Sequence, residues 1–381
     1  MPLAERRLRR MGARPSILLG TLLSGALLGA LSVAGCTSER ASTASSSQRD
    51  TRALIEQLLP PTVSDRNGWT ADMQSAFKSL QLDATPRNVC AVIAVVQQES
   101  GFQVDPVIPH LGTLATREID ERAGAAHVPL VLVHGALDIP SSDGRTYAER
   151  ILAAHTERDL SRVFDDFIGR VPLGRTLFAS WNPIRTRGPM QVNVAFAQKF
   201  AAVRPYPYPI HESLEDELFT RRGSLYFGIA HLLAYSAPYP EYLYRFADYN
   251  AGQYASRNAA FQHAASIASG RSLVSDGALL PPRNAATGST ELTLFALSDR
   301  LGLTQSQIRD ALAESGREEF EHTALYQRVF AVGQRKSGAR LPRARVPQIA
   351  LHGPKIERKL TTEWYAHRVN DRFTRCLGHA E

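Results

Sequence analysis

Apolar residues recur at helical spacing along most of the chain after residue 51, and one segment is apolar on every face. This segment is TPRNVCAVIAVVQQESGF, in which Thr85 is the expected N-cap, Pro86 the first helical residue and Gly101 the residue just past the end. A helix that is apolar all round is buried at the centre of its domain. The pattern therefore predicts a central buried helix with Glu99 in its last turn.

Other segments repeat the helical pattern, and the chain as a whole is predicted to be mainly α. The helical segments are TRALIEQLL, TADMQSAFKSL with Thr70 as the expected N-cap, TYAERILAAHTERDLSRVFDDFIG, GSLYFGIAHLLAYS and EYLYRFADYNAGQYASRNAAFQHAASIAS. The run HVPLVLVHGALDI favours a buried strand. The segment LLPPRNAATGS (279–289) favours a loop or a domain boundary, and helical segments follow it to the end of the chain.

The first 35 residues have the pattern of a secretory signal. A basic start leads into the apolar run SILLGTLLSGALLGALSVAG, which stops at Cys36. A transmembrane anchor is the alternative, but a Gly- and Ser-rich run that stops at a cysteine favours the signal. The segment Val33–Cys36 resembles a bacterial lipobox, which implies that residues 1–35 are removed and that Cys36 is lipidated. Thr37 after the cysteine implies sorting to the outer membrane, on its periplasmic side.

Residues 36–50 are rich in Ser and Thr and predict a flexible tether between the lipid and the folded body. The 381-residue chain is 44% hydrophobic and 21% charged, which is ordinary globular composition, and its net charge is +7. A mildly basic body suits an acidic polymer such as a nucleic acid or an anionic cell-wall glycan, and charge alone does not choose between them.

Two cysteines remain after Cys36, namely Cys90 and Cys376. An exported compartment permits a disulfide, so we expect a bridge that ties the C-terminus to the central helix. The alternative is a pair of unpaired, buried thiols.

The position of Glu99 suggests acid catalysis. Unsatisfied carbonyls at a helix C-terminus carry partial negative charge, and apolar surroundings disfavour an ionised carboxylate as well. Both effects raise the pKa of Glu99, and a carboxyl group that stays protonated near neutral pH can protonate a glycosidic oxygen. The alternative is a frayed helix end with Glu99 in solvent.

Three short motifs of the chain resemble those of a known enzyme family. Residues 99–102 (ESGF), 188–192 (GPMQV) and 249–252 (YNAG) resemble, in order, the E-S-x-F, G-L-M-Q-V/I and Y-N-A-G motifs of the lytic transglycosylases, which belong to the lysozyme-like superfamily. The helix SLYFGIAHLL, with Gly228 at its centre, is similar to a helix of that family. The chain also resembles a family of proteobacterial lipoproteins of unassigned function.

The resemblance implies a lysozyme-like fold and a peptidoglycan lytic transglycosylase. The sequence contains no Walker motif and no dinucleotide-binding glycine motif, so no cofactor is expected. Glu99 is the expected catalytic acid and base, and cleavage between MurNAc and GlcNAc leaves 1,6-anhydroMurNAc ends. The expected substrate-binding residues are Ser100, Met190, Gln191, Tyr249 and Asn250. Ser100 is expected to orient Glu99 or the substrate acetamido group, and Met190 to form the floor of the sugar site. Gly252 is expected to permit the turn after Asn250. Core packing is the alternative role for Met190 and Tyr249.

Two departures from the family pattern stand out. Glu99 and Gly188 lie 89 positions apart, so residues near 105–180 look like a large insertion that forms a lid, a groove wall or a partner surface. Pro189 replaces the usual Leu and removes a backbone donor. The expected organisation is a lysozyme-like catalytic domain over 51–278, which includes the insertion, and a helical C-terminal extension over 279–381.

Two alternatives to the transglycosylase remain open. A hydrolytic muramidase needs a second carboxylate, for which Asp105, Asp120 and Asp138 are candidates. A non-catalytic scaffold with the same fold is expected to bind peptidoglycan strands and, through the insertion, envelope protein partners.

Three further signals are weaker. The run VPLVLVHGALD resembles part of an α/β-hydrolase, but no serine stands in a G-x-S-x-G elbow. The segment LSDRLGLTQSQIRDALAES resembles a helix-turn-helix, yet an exported, tethered chain does not meet DNA, so two packed helices and no nucleic-acid partner are expected. The histidines are scattered and there is no H-E-x-x-H, so no metal site is expected.

Overall fold

The structure is a computed structural model that describes residues 49–170, 182, 184–281, 285–351 and 359–380. Residues 1–48 lie outside the described residues. They include the expected signal peptide (1–35), the expected lipidation site Cys36 and all but the last two residues of the expected tether (36–50).

The described chain is mainly helical, which confirms the predicted class. Its α-helices span 49–58, Arg66–Leu80, Pro86–Glu99, Leu111–Ala125, Leu130–Leu137, Tyr147–Leu152, Glu157–Arg170, Val194–Val203, Leu214–Glu217, Arg221–Leu233, Tyr242–Ala251, Ala255–Ser269, Ser289–Phe295, Ser298–Leu301, Gln305–Ala313, Ala324–Ser337 and Thr362–Leu377. Two 3₁₀ turns span Glu314–Gly316 and Glu318–His322. Strand Thr186–Arg187 pairs antiparallel with Val192–Asn193, and strand Ala350–Leu351 pairs antiparallel with Leu360–Thr361.

The central helix, Pro86–Glu99, has the predicted ends and the predicted burial. The Thr85 side chain accepts a 3.2 Å hydrogen bond from the amide of Asn88, and Pro86 occupies the first turn. Gly101 follows the helix with φ +59°, a conformation that glycine adopts without steric cost. Every residue from 89 to 96 is buried.

Three predictions about secondary structure were wrong. The run HVPLVLVHGALDI forms helix Leu130–Leu137, in which Val131 is 77% exposed and Leu132 is 64% exposed, because a short apolar run does not distinguish a strand from a helix. Thr70 lies inside a helix that begins at Arg66, where Asp65 supplies the cap. The long helix predicted around the YNAG motif is broken at Gly252, whose φ is +110°.

In the part of the chain that the structure describes, buried hydrophobic residues gather in three clusters. The first surrounds the central helix and contains side chains from helices 49–58, Arg66–Leu80, Arg221–Leu233, Tyr242–Ala251 and Thr362–Leu377. The second joins Ala255–Ser269 to the helices between 289 and 337 and includes Ile308 and Leu312 of the helix-turn-helix-like segment. The third lies within the insertion and is built around Leu111, Tyr147 and Ile151.

These clusters do not follow the division expected at residue 279. Helix Ala255–Ser269 packs with the C-terminal extension, whereas the last helix, Thr362–Leu377, packs beside the central helix. The C-terminal end of the chain is therefore part of the core that carries Glu99.

A disulfide joins Cys90 to Cys376, as predicted, with a Cα–Cα distance of 5.5 Å. Cys90 lies near the start of the central helix, and Cys376 lies near the end of helix Thr362–Leu377. At the opposite ends of the same two helices, Tyr365 contacts Glu99. The two helices therefore run antiparallel and are fixed at both ends.

Candidate active site

Glu99 stands at the C-terminal end of the central helix and is partly exposed. Burial raises the pKa of Glu99 to about 7, and the negative charge of Glu157 adds to the rise. The hydrogen bond from the Tyr365 hydroxyl acts in the opposite direction. At neutral pH Glu99 is therefore protonated in part of the molecules and ionised in the rest, so it can serve as a proton donor or as a proton acceptor.

Tyr365 was missed in the sequence. Its buried hydroxyl donates a 2.5 Å hydrogen bond to Oε1 of Glu99. Burial and the charge of Glu99 raise the pKa of Tyr365 well above its usual value, so the phenol stays protonated and acts as a donor. The predicted disulfide was the one signal in the sequence that brought the last helix to this place, because Cys376 follows Tyr365 on the same helix by about three turns.

Ser100 closes the central helix. Its backbone amide donates to the carbonyl oxygen of Val96 at 3.0 Å, and its Oγ donates to the same oxygen at 3.2 Å. In this conformation the hydroxyl is directed to its own helix and not to Glu99.

The GPMQ segment forms a tight turn that packs against helix Arg221–Leu233. Gly188 has φ +71°, and a Cβ at this position would lie 2.0 Å from the carbonyl oxygen of Leu218. The Met190 amide donates to Oγ of Ser224 at 2.9 Å, and its side chain is fully buried. A Cβ at Gly228 would lie 2.4 Å from Sδ of Met190, so the glycine of this helix makes room for the methionine.

The YNAG segment is joined to that turn by one hydrogen bond. The buried Tyr249 hydroxyl donates to the carbonyl oxygen of Met190 at 2.6 Å. Glu99 is close enough for its charge to raise the pKa of Tyr249 further, beyond the effect of burial. The Tyr249 ring also packs on His231 at 4.9 Å, and burial lowers the pKa of that histidine to about 4. His231 is therefore neutral at pH 7.

Asn250 joins the same motif to the C-terminal helix. Its side chain is exposed, and its Oδ1 accepts a 2.7 Å hydrogen bond from Oγ1 of Thr362, which is fully buried. Gly252 has φ +110° and follows the helix that carries Asn250, which confirms its predicted part in the turn. Thr362 and Tyr365 lie one turn apart, so one helix end contacts both Asn250 and Glu99.

Gln191 contacts the insertion. Its Nε2 donates to Oε2 of Glu157 at 2.9 Å, and its Oε1 accepts from Oγ1 of Thr186 at 2.7 Å. Glu157 begins helix Glu157–Arg170 and was not among the carboxylates proposed from the sequence. No local pattern distinguishes it from the other acidic residues of that helix.

The three aspartates suggested as second carboxylates lie in different settings within the insertion. Asp120 is 2.8 Å from His134, and Asp138 ends helix Leu130–Leu137. Asp105 lies 3.9 Å from Arg158, and burial raises the pKa of Asp105 although that arginine opposes the rise. Glu157 is the carboxylate whose charge acts on Glu99.

Hydrogen bonds thus link the three motifs in series: Glu99 bonds Tyr365, Thr362 of the same helix bonds Asn250, and Tyr249 bonds the carbonyl oxygen of Met190. Within the described residues, no group of three or more His, Cys, Asp or Glu side chains is arranged to hold a metal ion. The site is a cluster of carboxyl, phenol and amide groups, and such a cluster is suited to proton transfer and to hydrogen bonding of a polar ligand.

Comparison with known proteins places this mainly helical chain in a family. It belongs to the family described as "Protein of unknown function (DUF1615)", which matches residues 62–379. It is 46% identical over 358 residues to "Uncharacterized protein YaiW" of Escherichia coli (strain K12), and the match covers 93% of this chain and 98% of the relative. No solved structure matches the chain. Among the helices described, none has the length and apolar character needed to cross a membrane.

Proposed function

We propose that the protein is a peptidoglycan lytic transglycosylase with a lysozyme-like fold, enlarged by the insertion and the C-terminal extension. One observation carries the proposal: Glu99, whose pKa is raised to about 7, bonds Tyr365 of the helix whose Thr362 bonds Asn250, and Tyr249 next to Asn250 bonds the turn that carries Gln191. Glu99, Gln191, Tyr249 and Asn250 are among the residues that the resemblance assigns to catalysis and to sugar binding.

Glu99 carries out both proton transfers of the reaction. In its protonated form it gives its proton to the oxygen between MurNAc and GlcNAc, and the glycosidic bond breaks. As a carboxylate it then takes the proton of the MurNAc C6 hydroxyl, whose oxygen closes on C1. The product is a 1,6-anhydro end, no water is consumed, and Glu99 regains its proton. The substrate N-acetyl group stabilises the cation, so a second enzyme carboxylate is not required for this outcome.

The other residues hold the substrate and the acid. Asn250 is exposed, and its amide nitrogen is accessible for a hydrogen bond to sugar because the bond to Thr362 uses only Oδ1. Gln191 is partly exposed and offers the sugar its Oε1, because its Nε2 already donates to Glu157 and to the carbonyl oxygen of Gly188. Tyr249 holds the turn at Met190, and Met190 supports that turn from the core. Tyr365 fixes one oxygen of Glu99 and leaves the other oxygen for the substrate.

The enzyme acts at the cell wall. The lipobox-like segment before Cys36 supports a lipid anchor on the periplasmic side of the outer membrane, which holds the domain next to its glycan. The partners in this proposal are peptidoglycan strands and the membrane.

Digestion of purified sacculi tests the function. Wild-type protein is expected to release anhydro-ended fragments, identified by mass spectrometry, whereas Glu99→Gln is expected to bind sacculi without cleaving them. Glu212→Gln, which changes an exposed glutamate, serves as the matched control and is expected to cleave normally. Undiminished anhydro products from Glu99→Gln would remove Glu99 from the mechanism, and reducing ends from the wild type would identify a hydrolase.

A second candidate function is a non-catalytic envelope scaffold that binds peptidoglycan. The exposed apolar side chains Leu130, Val131 and Leu132 of the insertion favour it, because such a surface suits a protein partner. Binding of sacculi by the wild type without any fragment release would support the scaffold over the enzyme.

A further inference from the structure

The insertion meets the rest of the protein at the start of helix Glu157–Arg170. Nη2 of Arg158 donates to the carbonyl oxygen of Phe219 at 2.5 Å, and the guanidinium lies 5.5 Å from the centre of the Phe219 ring. Arg158 is also 3.9 Å from Asp105, which lies near the beginning of the insertion. The helix start is therefore fixed against the core beside the hairpin that holds the GPMQ turn.

At this docking point Glu157 contacts the proposed substrate site directly. Its Oε2 receives one hydrogen bond from Nε2 of Gln191 at 2.9 Å, and the same nitrogen lies 3.4 Å from the carbonyl oxygen of Gly188. On the other side of the amide, Thr186 donates to Oε1 at 2.7 Å. The amide of Gln191 is thereby held in one orientation by a residue of the insertion and a residue of the hairpin.

We propose that Glu157 is a positioning residue of the active site, carried in by the insertion to fix the Gln191 amide, and that from this position its negative charge acts on Glu99. The consequence for turnover rests on the proposed function, whereas the effect on Glu99 does not. In this proposal the insertion contributes a side chain to the active site and does not only border it.

The groups around Glu99 and Glu157 determine how the charge of Glu157 affects the protonation of Glu99. Glu99 contacts the hydroxyl group of Tyr365 and interacts electrostatically with Tyr249 of a second helix and with Glu157 of the insertion. Glu157 in turn acts electrostatically on Asp105 and on the buried Arg187 of the hairpin. Because Glu157 repels a second negative charge, it favours the protonated form of Glu99.

Titration of Glu99 in full-length protein tests the inference without requiring any cleavage. The carboxyl carbons are labelled with ¹³C-glutamate, and the Glu99 signal is assigned by its absence in Glu99→Gln. In Glu157→Gln the midpoint of Glu99 is expected to move to lower pH, while Glu212→Gln is expected to leave it in place. Glu157→Asp keeps the charge on a shorter side chain. The Glu99 midpoint in this variant is expected to lie between the midpoints in Glu157→Gln and the wild type.

Sacculus digestion gives the second readout. Above the midpoint of Glu99, cleavage by Glu157→Gln is expected to fall by the same factor as the protonated fraction of Glu99. If the wild type does not cleave sacculi at all, the proposed function fails and the titration still decides the role of Glu157. An unchanged Glu99 midpoint in a folded Glu157→Gln protein overturns the inference. If Glu157→Gln does not fold, Glu157→Ala removes the same charge, and an unchanged Glu99 midpoint in that variant overturns the inference instead.

Discussion

The Tyr365 hydroxyl donates a 2.5 Å hydrogen bond to Oε1 of Glu99, although 266 positions separate the two residues in the chain. The disulfide between Cys90 and Cys376 fixes the same pair of helices at their other ends. The protonation of Glu99 therefore depends on a helix from the end of the chain, and the C-terminal extension is part of the acid's environment.

Replacement of Tyr365 by Phe is expected to raise the pKa of Glu99 above its value of about 7. The hydroxyl stabilises the ionised carboxylate, and its removal favours the protonated form while the ring stays packed. At pH 8 the variant is expected to lose about 1.5–3 kcal/mol of stability, which is typical for a lost hydrogen bond to a charged group. ¹³C NMR titration of Glu99 measures the shift, and a midpoint that moves to lower pH would contradict this account.

Replacement of Glu99 by Gln is expected to stabilise the protein in alkaline solution. The folded-state pKa of Glu99 is about 7 and its ordinary value is 4.5, so the unfolded chain releases this proton first as the pH rises. The wild type therefore loses stability between these two values, by about 3 kcal/mol at most. Gln cannot ionise, so Glu99→Gln is expected to be more stable than the wild type at pH 8 and about equally stable at pH 4.

Urea denaturation at the two pH values measures this difference in the free energy of unfolding. Glu212→Gln is the control, because Glu212 is exposed and its replacement is expected to leave the pH dependence unchanged. A Glu99→Gln protein with the same pH dependence as the wild type would show that Glu99 ionises in the folded state as it does in solution.

Local sequence patterns were sufficient for the centre of this fold. The cap at Thr85, the apolar run behind it and the positive φ of Gly101 depend only on neighbouring residues, and the structure agrees with the sequence there. The disulfide was also predictable, because only Cys90 and Cys376 remained to pair once Cys36 was set aside as the expected lipidation site. The three motifs of the candidate site were found by resemblance to a family.

Long-range contacts were not predictable in the same way. Tyr365 and Glu157 sit on amphipathic helices that look like many others, and only the folded chain brings Tyr365 to Glu99 and Glu157 to Gln191. The exposed helix Leu130–Leu137 was mistaken for a buried strand because eight apolar-rich residues fit either element. In such cases the contacts made in the folded protein decide the structure and the role of a segment, and the local sequence does not.

Removal of the disulfide is expected to weaken the fold around Glu99. Replacement of both Cys90 and Cys376 by Ala is expected to lower the free energy of unfolding by about 2–5 kcal/mol, because the bridge closes a loop with a sequence separation of 286. Peptide mapping of denatured, unreduced wild-type protein is expected to find neither cysteine as a free thiol. Two alkylated thiols in that experiment would show that the bridge does not form.

Replacement of Gly228 by Ala is expected to disturb the site through Met190. The added methyl group would lie 2.4 Å from Sδ and 2.8 Å from Cβ of Met190, so the methionine and its turn must shift. Overpacking of this kind costs about 1–3 kcal/mol, and sacculus cleavage is expected to fall because the turn carries Gln191. Gly124→Ala is the matched control: it lies in a helix with nothing within 4 Å of the new methyl group, and there Ala is expected to stabilise the protein by about 0.5–1 kcal/mol. Equal unfolding free energies for the two variants, measured by urea denaturation, would show that Met190 is not confined by this glycine.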